Sequence, residues 1–442
     1  MSLGRYIQVN FDNDLFWFAD EVKKAHHLMR VSKVLENKNY IKGIHKVLNR
    51  EDMEYKGEKY VTRKIVLQTA KTIMNFHSTY LLGKPVSLVG SSEGMVKEFN
   101  RIYRQGNFNS TDFKIVDKIN KYGDVFEYVY MDGGKIKSKL INSEDAYPVY
   151  SDGNEYIAFI EHYVIDSISY YTVFTEDKVL KWNNEHGEFN KVEEYANVSG
   201  LPIHYHNLND DDEMFGKSEL EDIKGILDEM EDILSKFSDS IYTNSLNPMP
   251  VVSGQRIDST IPADAMGYVL NLEDGADYKV TSTMLDYNSI KLLYDTLKQS
   301  LLEVAGMPSI AMGQGNIANV SETSLKMLYQ MADVKAMLNE RYVREGMNKR
   351  FEVIRDMIGR GGMTFGTDDY VDVEFDYARP INVSDLLDNL GKQHGMGAIS
   401  GKTVIEKSPL TNNVEQEIGR LREETGDIKK KEEENREKKK EE

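Results

Sequence analysis

Apolar positions along this chain change their spacing several times, and each change marks an element. Residues 62–82 (TRKIVLQTAKTIMNFHSTYLL) place Ile65, Ala70, Ile73, His77 and Tyr80 at helical spacing, and Gly83 with Pro85 ends the run. A shorter helix is expected over 111–121. From about 124 to 206 the period falls to two. DVFEYVYMDGGKIKSKLI reads as two strands around Asp132-Gly133-Gly134, a hairpin signal because glycine accepts the positive φ that tight hairpin turns require. YIAFIEHYVI, SYYTVFTEDKVLKW and LPIHYH continue the alternation, which predicts an antiparallel meander rich in tyrosine.

The spacing then lengthens again. Over 219–246, Leu220, Ile223, Leu227, Met230, Leu234, Phe237 and Ile241 recur at three and four residues, a heptad seam for helices packed side by side. At 1.5 Å per residue such a helix is roughly 40 Å long. Asn247-Pro248 stops it, and the strand-like pieces VVSG, YVLNL and YKVTST fill the stretch to 286. A second amphipathic helix, 287–305, sets Ile290, Leu293, Leu297, Leu301 and Val304 on one face, with Gly306 as its cap and Pro308 barring continuation. A third long helix is expected over about 321–358, ended by Gly359, Gly361 and Gly362. The strand VDVEFDYARPINV (371–383) follows, then a helix beginning DLLDNL with Ser384 as its N-cap. Residues 411–442 hold 11 acids and 9 bases with few apolar positions, which suits a solvated helix and a disordered tail equally.

Composition narrows the class. The 442 residues suffice for roughly two to four domains, and 40% apolar with 29% charged residues is the balance of a globular chain. No run approaches the ~18 apolar residues of a membrane span, so no membrane association is expected. The start, MSLGRYIQVNFDNDLFWF, lacks the basic-then-apolar order of a secretory signal. Cysteine is absent, which excludes disulfides and thiolate metal sites. Acids outnumber bases 73 to 55, a formal charge of −18, so a protein that grips nucleic-acid phosphates over much of its surface is not expected.

Candidate chemistry is sparse. Gly401-Lys402-Thr403 resembles the end of a phosphate-binding loop, but the required upstream glycine is Met396 and the preceding segment is helical. GQGNIA (313–318) matches a dinucleotide fingerprint by letters only, following a helix and a turn instead of a strand. His204 and His206 share a strand face near Asp210–Glu213, yet no third ligand stands out, and two side chains on a half-exposed strand is the simpler reading. His26-His27 offers less. No nucleophile constellation is legible, so no catalytic residue, cofactor or metal is expected.

One segment departs from the rest: 306–320 carries no charged side chain in a chain that is 29% charged, and it holds three glycines and a proline. Composition allows a buried helix–helix connector. It also allows a mobile loop facing something it touches without holding, since a lysine or arginine there would add a phosphate contact.

The order of these elements, with YLLGKPVSL (80–88), GDVFEYVYMDGG (123–134) and AGMPSIAMGQGNIANVSETSLKMLY (305–329), resembles portal proteins of tailed double-stranded-DNA phages, particularly those of Gram-positive hosts, over roughly residues 15 to 385. The resemblance implies an α+β portal fold with long stem and wing helices, an antiparallel β-rich wing and a small α/β clip. By segment it implies a wing over 1–218, stem helices over 219–246 and 287–305 with the clip at 247–286 between them, and a tunnel loop over 306–320. A long wing helix and return strand would cover 321–383, and a crown with a charged tail 384–442. It further implies a ring of usually twelve subunits at one capsid vertex of the virion, assembled in the host cytoplasm. Double-stranded DNA would pass through it without sequence specificity. Loop residues Met307, Ser309, Ile310, Met312, Gln314, Asn316 and Asn319 would face the DNA, and clip acids Glu273, Asp274 and Asp277 are docking candidates. Implied partners are the terminase large subunit, which hydrolyses the ATP, then a head-completion adaptor, with scaffold and capsid proteins around the ring. Two other classes compete: a packaging NTPase or nuclease, disfavoured by the broken phosphate loop, and a cytoplasmic coiled-coil scaffold, which would form dimers or trimers.

Overall fold

The computed structural model of the chain describes residues 1–55, 58–241, 249–254, 274–281, 286–308, 321–366, 368–411 and 413–424. Three helices, α1 (Leu3–Phe11), α2 (Trp17–Glu21) and α3 (Ala25–Ile41), open the chain. The paired strands β1 (Met53–Tyr55) and β2 (Glu58–Tyr60) lead to an extended segment, then to α4 (Thr69–Leu82), β3 (Ser87–Gly90), α5 (Glu93–Gly106) and α6 (Phe108–Tyr122). Eight strands follow: β4 (Asp124–Asp132), β5 (Lys135–Ile141), β6 (Ala146–Tyr150), β7 (Tyr156–Ile165), β8 (Ile168–Phe174), β9 (Lys178–Asn183), β10 (Asn190–Ala196) and β11 (Ile203–His206). The remainder is α7 (Glu219–Ser240), β12 (Met249–Ser253), β13 (Asp277–Thr281), α8 (Tyr287–Ala305), α9 (Glu322–Arg360), β14 (Val371–Glu374), α10 (Val383–Gly395) and α11 (Gly401–Lys407). The fold is α+β, with antiparallel pairing throughout the described sheets.

The expected meander divides into two sheets. Strands β6 to β10 form one in sequence order, whereas β11 leaves it to pair with β4, giving the order β11-β4-β5. The β4–β5 hairpin closes at Asp132↔Lys135 through Gly133 (φ 56°) and Gly134 (φ 74°), the left-handed pair its sequence predicts. Alternation explains why the five-stranded sheet is covered on both faces. Tyr147, Val149, Ile160 and Val173 pack under Tyr6, Trp17 and Phe18 of the N-terminal helices, while Phe159, Phe174 and Val179 point the other way onto Phe126 and Ile141.

The helix expected from residue 62 begins instead at Thr69. Residues 63–67 run extended along α7, because its side chains take their backbone N–H groups. Arg63 N–H donates to Asp239 Oδ1 (2.8 Å), Ile65 N–H to Ser235 Oγ (2.9 Å) and Leu67 N–H to Glu231 Oε1 (2.8 Å). Two residues of extended chain and four residues of helix both advance roughly 6 to 7 Å, so the two periods run in step. A local helical pattern loses to three tertiary hydrogen bonds. His45 secures the same carboxylate, its ring lying between Glu231 Oε1 (2.6 Å) and the Tyr40 carbonyl (2.8 Å).

Two compact units account for the described chain: Met1–Pro308 with Met331–Ala378, and Ser309–Gln330 with Arg379–Glu442. Within the second, the start of α9 and the start of α10 exchange side-chain contacts. Glu322 N–H donates to Asp385 (3.2 Å), and Asn382 N–H donates to Glu322 Oε2 (3.1 Å). The α10 cap is Asn382, not Ser384: its Oδ1 accepts the N–H of Ser384 (3.1 Å) and of Asp385 (3.2 Å). The strand predicted over 371–383 is regular only at Val371–Glu374, where it pairs with β3. Residues 414–424 of the charged C-terminal stretch are helical.

Candidate functional site

The uncharged stretch starts where α8 ends, and that end is held by its own turn and by side chains of two other helices. Leu301, Leu302, Ala305, Gly306, Met307 and Pro308 are all buried. Gly306 takes the left-handed conformation (φ 64°), its N–H donating to Glu303 O (3.1 Å) while Met307 N–H reaches Leu302 O (2.9 Å). These bonds satisfy carbonyls that a helix terminus otherwise leaves open. The Ala305 carbonyl is met by side chains instead: His77 Nε2–H of α4 donates to it at 2.7 Å, and Lys335 Nζ of α9 approaches at 3.4 Å. Lys335 also pairs with Glu219 in the first turn of α7, where the helix dipole favours a carboxylate. Burial, with Lys335 adding to it, pushes the His77 imidazole down to about 3, so it stays neutral and keeps the hydrogen that Ala305 needs.

A buried ionic cluster positions α9 from the other side. Arg350 Nε donates to Glu127 on β4 (2.8 Å), and its Nη1 to Asp112 on α6 and to the Tyr103 hydroxyl (3.1 Å). The Tyr205 hydroxyl completes Glu127 at 2.7 Å, and the guanidinium lies 5.2 Å from the Phe108 ring centre. Burial works against the charge, but Asp112 and Glu127 outweigh it and hold Arg350 above the ordinary arginine range. Nearer the end of α8, Asn339 donates to Asn120 (3.1 Å) and Asn120 to Ser78 (3.1 Å), tying α9 to α6 and α4.

Of the residues expected to line a channel, Met307 is described and is 6% exposed, seated in the anchor. Ser309, Ile310, Met312, Gln314, Asn316 and Asn319 lie outside the described residues. In α7, Leu220, Ile223, Leu227 and Met230 are buried and Leu234 and Phe237 are half-buried, and Ile241, the residue after the helix, is exposed. The helix packs against α8. Beyond Met230 its buried positions are Glu231, Ser235 and Asp239, the acceptors of the extended segment. Asp274 and Asp277 are exposed beside the β12–β13 pair, and Glu273 lies outside the described residues.

Three of the motifs set aside in the sequence lie among the described residues. Gly401-Lys402-Thr403 forms the first turn of α11, where Ser400 Oγ already accepts the Thr403 N–H (3.2 Å). GQGNIA lies outside the described residues. His204 donates toward Asp124 (2.7 Å) and stacks on Phe126 at 4.4 Å, a packed core histidine whose pKa burial lowers. Among the described residues, Glu21, His26 and His27 are close enough to share an ion, yet Glu21 already holds the Lys24 ammonium (2.8 Å) and the Tyr6 hydroxyl (2.8 Å). No helix among the described residues is long and apolar enough to cross a membrane.

Sequence reasoning passed over Arg350 and His77, though a signal for the first exists. Val343, Met347, Arg350, Ile354 and Met357 follow the 4-3-4-3 spacing of a core seam, and a charge at a seam position calls for a buried counter-charge.

The chain is 22% identical over 385 residues to the portal protein of Bacillus phage SPP1, covering 80% of this chain and 74% of that relative. Solved structures also align with it, two of them from gene-transfer particles. They are the neck of an empty GTA particle (TM-score 0.46, 11% identity, 76% of this chain and 87% of that chain) and the neck of a native GTA particle (TM-score 0.46, 12% identity, 78% and 89%). The phage portal protein family of the SPP1 Gp6-like type matches residues 20–431. With nearly the whole length matched, the chain belongs to that family of phage portal proteins.

Proposed function

We propose that copies of this chain, twelve in the usual family number, close into a ring at one capsid vertex, and that double-stranded DNA enters and leaves through its axial hole. On this reading 1–218 is most of the wing, α7 and α8 are stem helices with the clip between them, and α9 is the long wing helix. Residues 384–442 form the crown. The observation that carries the reading is the junction at Pro308. An uncharged stretch follows a helix end held by His77, Lys335 and a buried left-handed turn. A fixed base and a tip with no ionic hold on phosphate suit a surface past which a duplex slides. Ser309, Ile310, Met312, Gln314, Asn316 and Asn319 face the DNA. Repeating a subunit of charge −18 around a ring gives a particle that repels DNA overall, so passage does not become trapping.

The chain performs no chemistry. The clip, with Asp274 and Asp277 exposed, docks the terminase large subunit, which supplies ATP hydrolysis, and later a head-completion adaptor. Scaffold and capsid proteins surround the ring during assembly in the host cytoplasm. Negative-stain images of purified protein should show rings with a central hole, and a preparation holding only dimers, trimers or short rods would overturn the proposal. In a packaging assay, Gly313→Lys with Gln314→Lys should slow or stall DNA entry, and normal kinetics would remove the loop from the channel.

A further inference from the structure

Helix α9 carries two apolar seams. The inner one, from Ala332 to Met357, is filled within the chain. The other, Met331, Val334 and Leu338, repeats at three and four residues on a different face and is 59%, 41% and 44% exposed. Exposed Leu208 and Val304 border the same groove, which lies between the segment before α7, the end of α8 and α9. Neighbouring apolar side chains left open to water mark a contact surface. The rim has a sign. Lys217 is committed to Asp222 and Lys335 to Glu219, so Asp210 and Glu303 set its net charge, which is negative.

The same chain exposes a surface of opposite character. The outer face of α3 and the turn after it presents Leu28, Leu35, Ile44 and Leu48 to solvent, with Lys42 in line with Leu28 and Leu35 and Lys46 in the turn. The one acid in that stretch, Glu36, lies 4.0 Å from Lys224. Each surface would repel its own copy, and each complements the other in both apolarity and charge.

We infer that the α9 groove of one copy receives the α3 face of the next, a head-to-tail contact. A two-fold dimer needs one patch that matches itself, whereas a ring needs two different patches that match each other. The inference rests on the ring reading and adds which surfaces meet.

The absence of cysteine makes the test clean. Leu35→Cys with Leu338→Cys in one chain, treated with a short bismaleimide, should give a ladder of covalent multimers on a denaturing gel, while neither single variant gives dimers. Dimers from Leu338→Cys alone would show that the groove meets its own copy and would overturn the inference. Val334→Asp with Leu338→Asp should yield monomers with unchanged circular dichroism. Rings that persist in that variant would overturn the inference while leaving the ring itself standing. To separate contact from folding, Lys42→Glu with Lys46→Glu should lose rings, and adding Asp210→Lys with Glu303→Lys should restore them. Failure of that rescue would count against the pairing. Wild-type protein without rings would instead overturn the ring reading on which the inference stands.

Discussion

Lowering the pH from 7 to 5 should weaken the protein through His77. In the folded chain burial holds this imidazole neutral until about pH 3, whereas the unfolded chain takes up the proton near 6.5. A base with a lowered folded pKa contributes its full stability above 6.5 and loses it as the pH falls toward 3. Each pH unit in that window is worth about 1.4 kcal/mol, so at pH 5, some 1.5 units below the unfolded value, the loss is about 2 kcal/mol. His77→Gln isolates this effect, because the amide keeps a donor for the Ala305 carbonyl and does not titrate. Urea unfolding followed by circular dichroism at pH 7 and pH 5 gives the comparison. Wild type should lose about 2 kcal/mol more than the variant over that interval. The pKa values of His27, His162 and His204 are also lowered by burial, but they titrate alike in both proteins and cancel in the difference. Equal losses in the two proteins would refute a neutral, buried His77 at the end of α8.

Three further outcomes are expected. Arg350→Met should cost about 3–5 kcal/mol in urea unfolding, since it strands Asp112 and Glu127 without a cation, and adding Asp112→Asn with Glu127→Gln should recover part of it. A loss under about 1 kcal/mol would mean that the cluster does not hold α9. Gly346→Ala should lower the melting temperature, because its Cβ would lie 2.4 Å from the Tyr205 ring. Overpacking of that kind costs about 1–3 kcal/mol, and an unchanged melting point would show that the ring gives way freely. Ser235→Ala removes the acceptor of the Ile65 N–H, so hydrogen exchange in 62–68 should accelerate, and unchanged protection there would mean that the bond does not hold the segment against α7.

The legible parts of the chain were those where local pattern and tertiary structure agree. The Asp132-Gly133-Gly134 turn fixed its hairpin because only the glycines fit the backbone it needs. The seam from Leu220 to Met230 predicted a buried face because α7 packs on apolar neighbours over that length. The pattern misled where polar groups took over. Ile65 heads the run of apolar positions that continues through Ala70 and Ile73, but the acceptors that hold it extended lie on α7, far along the chain, and no local spacing reports them. Strand β11 alternates like its predecessors, and nothing within LPIHYH says that its partner is β4. Ser384 and Asn382 are both competent caps, and the choice fell to Asn382, whose backbone N–H is drawn to Glu322. At the anchor, His77 counted only as one apolar-face position, since its task depends on meeting a carbonyl at the end of a helix more than two hundred residues later.

That carbonyl has a mechanical consequence. With Ala305 clamped by donors from α4 and α9, and the left-handed turn at Gly306 buried, α8 has no slack at its final residue. Tension arriving at Pro308 is therefore not absorbed by a fraying helix end but handed to α4, and through Lys335 to α7 and α9 together. A tug on one short strand of chain becomes a shove on three helices.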